Sequence, residues 1–168
     1  MSSPPVPDAA QHPPYAVLDL DGVLADVRHR LHLVRTKPKR WDDFFDAAEA
    51  DQVLPEGRAT ADRLAADHVI AYVSGRPERC RAATEKWLAD NGFPAGAVHL
   101  RPNDDRRPAR LVKVAVVRRL ARERPVAVIV DDDVRVTAAL QEAGFAVVLA
   151  DWMAEQPGLF DPYSPDAS

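Results

Sequence analysis

Short apolar runs and longer mixed segments alternate along this chain. Tyr15-Ala16-Val17-Leu18, Val69-Ile70-Ala71-Tyr72-Val73 and Val126-Ala127-Val128-Ile129-Val130 are near-continuous hydrophobic stretches. That is the pattern of strands buried on both faces. With weaker runs they predict strands near 15–20, 68–73, 97–100, 126–131 and 145–149. The stretches between them predict helices near 56–67, 77–91, 108–123 and 133–143. Gly92 and Gly144 stand where two of these helices should stop, because glycine accepts the left-handed conformation at a helix end. Pro77 and Pro108 suit first-turn positions of helices. Alternation of this kind predicts an α/β fold, a Rossmann-like parallel sheet of about five strands with helices on both faces.

Residues 25–54 interrupt the alternation. A connection of that length is usually functional or carries structure of its own. This one contains Trp41, Phe44 and Phe45 and predicts a small insertion of one or two helices after the first strand. Packing against the main domain is the ordinary role for these aromatics, and stacking on a base is the sharper one for Trp41. Residues 1–14 and 157–168 are rich in proline and small residues, so a disordered leader and tail are expected around a domain at 15–156.

Three of the predicted strands end in residues that can do chemistry. The first runs into Asp19-Leu20-Asp21-Gly22-Val23, the second into Ser74-Gly75-Arg76-Pro77, the third into Asp131-Asp132-Asp133. In an open α/β sheet, ligands bind at the carboxyl ends of the strands. Gly22 tolerates positive φ and lets the chain turn, so Asp19 and Asp21 can face one reacting group. A solvated Asp-Gly turn is the commonplace alternative for this stretch alone. A hydroxyl followed by glycine, as at Ser74-Gly75, can present its oxygen and backbone N–H groups to a phosphate. Lys113 lies in the helical stretch 111–120 and is the only lysine between 87 and 168, so a fixed positive charge would come from there. Asp133 suits the N-cap of the next helix.

These residues, in this order, resemble the four motifs of the haloacid dehalogenase superfamily, and the resemblance spans about residues 15–150. More narrowly, Ser74-Gly75-Arg76-Pro77 followed by Thr84-Glu85-Lys86-Trp87-Leu88, then Leu100-Arg101-Pro102 ahead of Asp104-Asp105 and Lys113, is similar to the 3′-phosphatase domain of bacteriophage-type polynucleotide kinase/phosphatase. The resemblance implies a phosphomonoesterase in which Asp19 is the nucleophile and Asp21 the general acid and base. Lys113 neutralises charge. Ser74 and the Gly75 N–H would hold a phosphate oxygen, Arg76 would serve the substrate phosphate or a helix terminus, and Arg101 would be a further phosphate-binding residue. Mg²⁺ would be held by Asp19, the backbone carbonyl of Asp21 and Asp132, with Asp131 holding Lys113 or a metal-bound water, or with Asp131 and Asp132 in exchanged roles. No G-x-x-x-x-G-K-[ST] loop occurs in these residues, so a kinase half is not expected in them.

Composition narrows the substrate little. A hydrophobic fraction of 46%, a charged fraction of 29% and a net charge of −4 are ordinary for a globular domain. They do not suggest a general nucleic-acid coat. The one cysteine, Cys80, excludes an internal disulfide framework; flanked by Arg79 and Arg81 it looks mildly reactive. No apolar run is long enough to span a bilayer, and no signal-peptide pattern opens the chain, so a cytoplasmic protein is expected. Positive charge is uneven, with Arg28, Arg30, Arg35, Lys37, Lys39 and Arg40 in one group and Arg101, Arg106, Arg107 and Arg110 in another. Together they would rim a cleft for a phosphorylated substrate, a nucleic-acid 3′ end or a nucleotide. A phosphatase of small metabolites and a non-catalytic binding module on the same fold are the alternatives. His29 and His32 share a face if 26–35 is helical, but without a third soft ligand they do not make a zinc site. The sequence gives no oligomeric state.

Overall fold

The computed structural model describes residues 12–153 together with 162–163. Most of the expected leader and tail therefore lies outside the described residues. The elements run β1 (Tyr15–Leu18), β2 (Ala25–Asp26), α1 (His32–Arg35), α2 (Trp41–Asp46), β3 (Gln52–Val53), α3 (Pro55–Ala65), β4 (Val69–Pro77), α4 (Arg81–Asp90), β5 (Gly96–Arg101), α5 (Ala109–Glu123), β6 (Val126–Asp131), α6 (Val134–Glu142) and β7 (Val147–Leu149). Five strands make one parallel sheet in the order β5-β4-β1-β6-β7. The first strand is thus the centre, paired at Val17 with Ala71 on one side and Ile129 on the other.

Alternation along β1 divides the core. Ala16 and Leu18 face one layer with Ala61 of α3 and Trp87 and Leu88 of α4. Val17 faces the other, with Val117 and Leu120 of α5 and Val136 and Leu140 of α6. Successive side chains on a strand point to opposite faces, so a run apolar at every position needs helices on both sides, and has them. Gly92 and Gly144 take φ of +66° and +96° at the ends of α4 and α6. The prolines depart from expectation. Pro108 is the N-cap of α5 rather than its first helical residue, and its carbonyl accepts from Leu111 and Val112. Pro77 ends β4, and α4 begins only at Arg81 after a single 3₁₀ turn. Pro55 is the proline that opens a helix.

Residues 25–54 form the expected insertion. β2 and β3 pair antiparallel and form its stalk. Above them α1, α2 and two 3₁₀ turns pack Val27, Leu31, Val34, Phe44 and Phe45 into a separate small core. Phe44 and Phe45 are buried, and Trp41 stacks on Phe45 with ring centroids 6.1 Å apart. Packing accounts for all three. Cys80 from the sheet domain and Met153 also join this cluster, so the cap is packed onto the body of the protein.

Helix α3 comes very close to the turn after β1. A Cβ on Gly57 would stand 2.0 Å from the carbonyl oxygen of Val23 and 2.9 Å from Cα of Leu24. Backbone cannot yield as a side-chain tip does. Alanine's advantage in a helix, about 1 kcal/mol, is smaller than the overpacking it would cause. Gly57→Ala is therefore expected to lower stability by about 3 kcal/mol, read as the midpoint shift in urea unfolding.

Candidate active site

The site lies where β1, β4 and β6 end. Asp19 follows β1, its N–H bonded to the carbonyl of Val130 at 3.0 Å, and its Oδ1 accepts from the Leu20 N–H at 2.8 Å. The chain then turns on Gly22, whose φ is +80°. Three N–H groups, those of Val23, Leu24 and Ala25, converge on the Leu20 carbonyl. This tight turn places Asp19 and Asp21 on one cleft. Ser74, Gly75, Arg76, Lys113 and Asp132 line the same cleft, with Ala109 and Val136 as its apolar wall.

Lys113 rises from α5 and is buried. Its Nζ lies 2.6 Å from Oδ2 of Asp131 and 3.1 Å from Oδ2 of Asp19. Asp131 therefore faces the lysine from behind, while Asp132 lines the cleft. Asp133 caps α6, its Oδ1 accepting from the N–H groups of Arg135 and Val136 at 2.8 and 3.3 Å. Burial pushes the Asp19 carboxyl up to about 7, Lys113 pulling the other way and Asp131 and Asp21 adding to the rise. Asp132 is raised well above the usual range by burial and by the charges of Asp19 and Asp131. Burial alone would lower Lys113, but Asp131 and Asp19 outweigh it and hold the ammonium charged.

Oxygens of Asp19, Asp131 and Asp132 lie within 4.8 Å of one another. Three carboxylates face one lysine, and two of them are driven toward protonation. A hard cation relieves that crowding, and a set of carboxylate oxygens is the donor chemistry Mg²⁺ takes. Neither His29 nor His32 belongs to this group among the described residues. His29 instead bonds Asp51 at 2.7 Å.

Asp21 is held differently. Arg76 Nη2 lies 2.6 Å and Arg30 Nη2 2.8 Å from its Oδ1. Burial would raise this carboxyl, but Arg76 and Arg30 outweigh it and hold it well below the usual carboxylate range. Both arginines also reach Asp51, a buried acid at the foot of β3. Burial raises the Asp51 carboxyl, against the pull of Arg30 and Arg76. Arg76 Nη1 donates to Thr84 Oγ1 at 3.1 Å.

Several expectations change here. Arg76, a phosphate-binding candidate, lines the cleft, where its guanidinium also bonds Asp21, Asp51 and Thr84. Ser74 Oγ accepts the backbone N–H of Arg76 at 3.2 Å, fixing this strand end. Arg101 is buried rather than on a rim. It donates to the carbonyls of Gly75 and Arg107, tying the 102–108 loop to the cleft, and stands 4.9 Å from the Tyr163 ring. Arg30 is fully buried and leaves the basic rim altogether. Cys80 is buried, and burial raises its thiol, the reverse of a reactive cysteine. Arg30 in its new setting and Asp51 are the site residues that sequence reading missed. Asp51 had no local signal, standing alone after Ala47-Ala48-Glu49-Ala50.

Residues 13–151 match the family model of the polynucleotide kinase PNKP phosphatase domain. A search of curated proteins finds no match. Among solved structures, a chain of the Pnkp1/Rnl/Hen1 RNA repair complex is similar, with a TM-score of 0.65 at 19% identity, over 82% of this chain and 42% of that one. The present chain thus spans less than half the length of that relative. A class C acid phosphatase from Bacillus anthracis with tungstate bound gives 0.59 at 18% identity, over 83% and 68%. A haloacid dehalogenase-like family hydrolase from Streptococcus pneumoniae gives 0.52 at 11% identity, over 86% and 91%. At these identities the structural likenesses establish the fold.

Proposed function

Since the chain belongs to the polynucleotide kinase phosphatase domain family within the haloacid dehalogenase superfamily, and is a phosphatase by that membership, we propose that it is a Mg²⁺-dependent phosphomonoesterase that removes 3′-phosphates from polynucleotide ends through an aspartyl-phosphate. The observation that carries this reading is the convergence of Asp19, Asp21, Lys113 and Asp132 on one cleft at three strand ends. An intact set of this kind also argues against a non-catalytic binding module.

Asp19 attacks phosphorus and the bond to the leaving oxygen breaks, leaving the phosphoryl group on the Asp19 carboxylate. Asp21 gives its proton to the leaving alkoxide. It then takes a proton from the water that attacks the aspartyl-phosphate, which frees phosphate and restores Asp19. Arg30 and Arg76 favour the anion of Asp21, the form that acts as base. An arriving phosphate brings negative charge beside the pair and raises the proton affinity of Asp21, toward the form that acts as acid. Lys113 offsets charge building on the phosphoryl group, and Asp131 keeps its ammonium aimed. Ser74 and Gly75 are the phosphate-binding end of β4. Asp19, the Asp21 carbonyl and Asp132 would hold Mg²⁺, with Asp131 behind Lys113. When bound, the metal keeps Asp19 ionised and draws charge from the phosphoryl oxygens.

The family and the small cap favour a bulky substrate, whose backbone must leave past the cap. The exposed basic residues remaining there are Arg28, Arg35, Lys37 and Arg40, with half-buried Lys39 beside them, and Arg106, Arg107 and Arg110 are the exposed members of the second group. Arg28 and Arg40 already pair with Asp26 and Asp43. Loss of Arg30 and Arg101 from the rim favours the second reading, a phosphatase of nucleotides or other small metabolites. Phosphate release from 3′- and 5′-phosphorylated oligonucleotides, nucleotides and sugar phosphates, with and without Mg²⁺, separates the two. Neutralising Lys37, Lys39 and Arg40 together is expected to raise KM for a 3′-phosphorylated oligonucleotide about tenfold and flatten its salt dependence. KM for a mononucleotide should stay unchanged. Equal effects on both substrates would transfer the assignment to the metabolite reading.

A further inference from the structure

Asp51 is a buried acid that the reaction above does not use. Its side chain has no exposed surface. Oδ1 accepts from Arg30 Nε at 2.8 Å and lies 2.7 Å from His29 Nε2. Oδ2 faces Arg30 Nη2 at 2.6 Å and Arg76 Nη2 at 3.4 Å. The Trp87 indole N–H fixes the Asp51 carbonyl at 2.8 Å. Arg30 is thus held two-pronged by Asp51, and the Nη2 it turns to that carboxylate is the one that reaches Asp21 at 2.8 Å. Its remaining nitrogen donates to the Phe44 carbonyl at 3.0 Å. Arg76 bridges the same two acids from β4, steadied by Thr84.

Two carboxylates and two guanidiniums therefore balance in a site nearly closed to water. We propose that Asp51 is the positioning residue for Asp21: it anchors Arg30 and Arg76 at the angle from which they present the Asp21 carboxyl to the leaving oxygen. Without Asp51, two buried guanidiniums face one carboxylate, and both are free to close on it from new directions. An uncompensated buried charge reorganises its surroundings. A general acid out of line by about 1 Å loses most of its effect. The inference rests on the reading of Asp21 as the acid in phosphoryl transfer.

The discriminating measurement is kcat/KM on two leaving groups. A 3′-phosphorylated oligonucleotide expels an alkoxide, which needs a proton. An aryl phosphate such as p-nitrophenyl phosphate expels a stabilised phenolate, which does not. Asp51→Asn is expected to lower kcat/KM about a hundredfold on the oligonucleotide and only about threefold on the aryl phosphate. The ratio of the two does not depend on how much of the variant is folded, since both are read on the same active sites. His29→Ala, at the half-exposed end of the same carboxylate, should give a smaller split in the same direction, and it decides the matter if Asp51→Asn yields no folded protein. Asp21→Asn is the control. A split for Asp21→Asn with equal losses for Asp51→Asn and His29→Ala would overturn the positioning role alone. Absence of a split in all three would overturn the acid role of Asp21 itself.

Discussion

Asp19→Asn is expected to abolish phosphate release, by at least about ten-thousand-fold in kcat, while the protein stays folded. The amide has nearly the same shape and keeps the acceptor for the Leu20 N–H, but it is not a nucleophile toward phosphorus. Lys113 retains Asp131 at 2.6 Å, so the change does not orphan a buried cation. Stability should rise in the metal-free protein. The Asp19 carboxyl is raised to about 7 by burial, against an ordinary value of about 3.9. A group whose folded pKa is raised binds its proton more tightly in the folded state. Its contribution is fully present below the unfolded value and is lost as pH rises through the folded one. Between about pH 4 and pH 7 the wild type therefore loses stability that the asparagine variant keeps. With chelator present, the variant should melt higher than wild type at about pH 8, and the gap should close toward about pH 4. Added Mg²⁺ should shrink the gap at the higher pH by stabilising the wild type more. Turnover within about tenfold of wild type would remove Asp19 from the nucleophile's role.

Stripping divalent cations is the second large effect. Chelator is expected to stop phosphate release from any substrate, and Mg²⁺ to restore it. Three carboxylates around one lysine crowd negative charge at the point where a phosphate would arrive, and in the proposed mechanism a cation would offset that charge. Ca²⁺ should bind without restoring turnover. Its looser, higher coordination lets a carboxylate engage through both oxygens, and Asp19 needs one oxygen free for attack. Asp132→Asn removes a ligand that would touch the ion, and should weaken Mg²⁺ binding by at least the about 10- to 100-fold seen for lost outer-shell partners. Titration calorimetry reads that loss without reference to activity. Full activity in excess chelator would remove the metal from the mechanism.

The sheet was legible because its central strands are apolar at nearly every position. Val17 and Leu18 must each find a helix, and only a sheet covered on both faces supplies two. The cleft was legible for a related reason: where such a run stops at Asp19, Ser74 or Asp131, polar residues crowd at a strand end. What stayed hidden were the pairings. Arg30 reads as one of six basic residues in a row, and nothing local separates it from Arg28. The fold sends Arg30 inward because Asp51, beyond the cap helices, and Asp21, across the stalk, are both waiting for it. Arg101 is taken off the rim in the same way, and the partners of Arg76 within the cleft carried no local signal either. A charge in a sequence announces its sign and keeps its partner to itself. Proline placement failed by one residue at Pro108, which serves its helix through its carbonyl rather than its ring, and by a whole turn at Pro77, which ends β4 ahead of α4.

The central position of β1 bears on how the chain comes to be made. Its two neighbours in the sheet begin at Val69 and Val126. During synthesis β1 emerges before either of its sheet partners and cannot finish pairing until β6 has followed. Lys113 appears before Asp131, so it has no carboxylate behind it until β6 is in place. Contacts this distant in sequence close slowly, because loop entropy is lost before pairing returns anything. A nascent chain that stops short of β6 therefore carries an uncovered apolar strand and half of a charged cluster. Such a species is prone to aggregate, and the charged cluster of the proposed mechanism is complete only once β6 has followed.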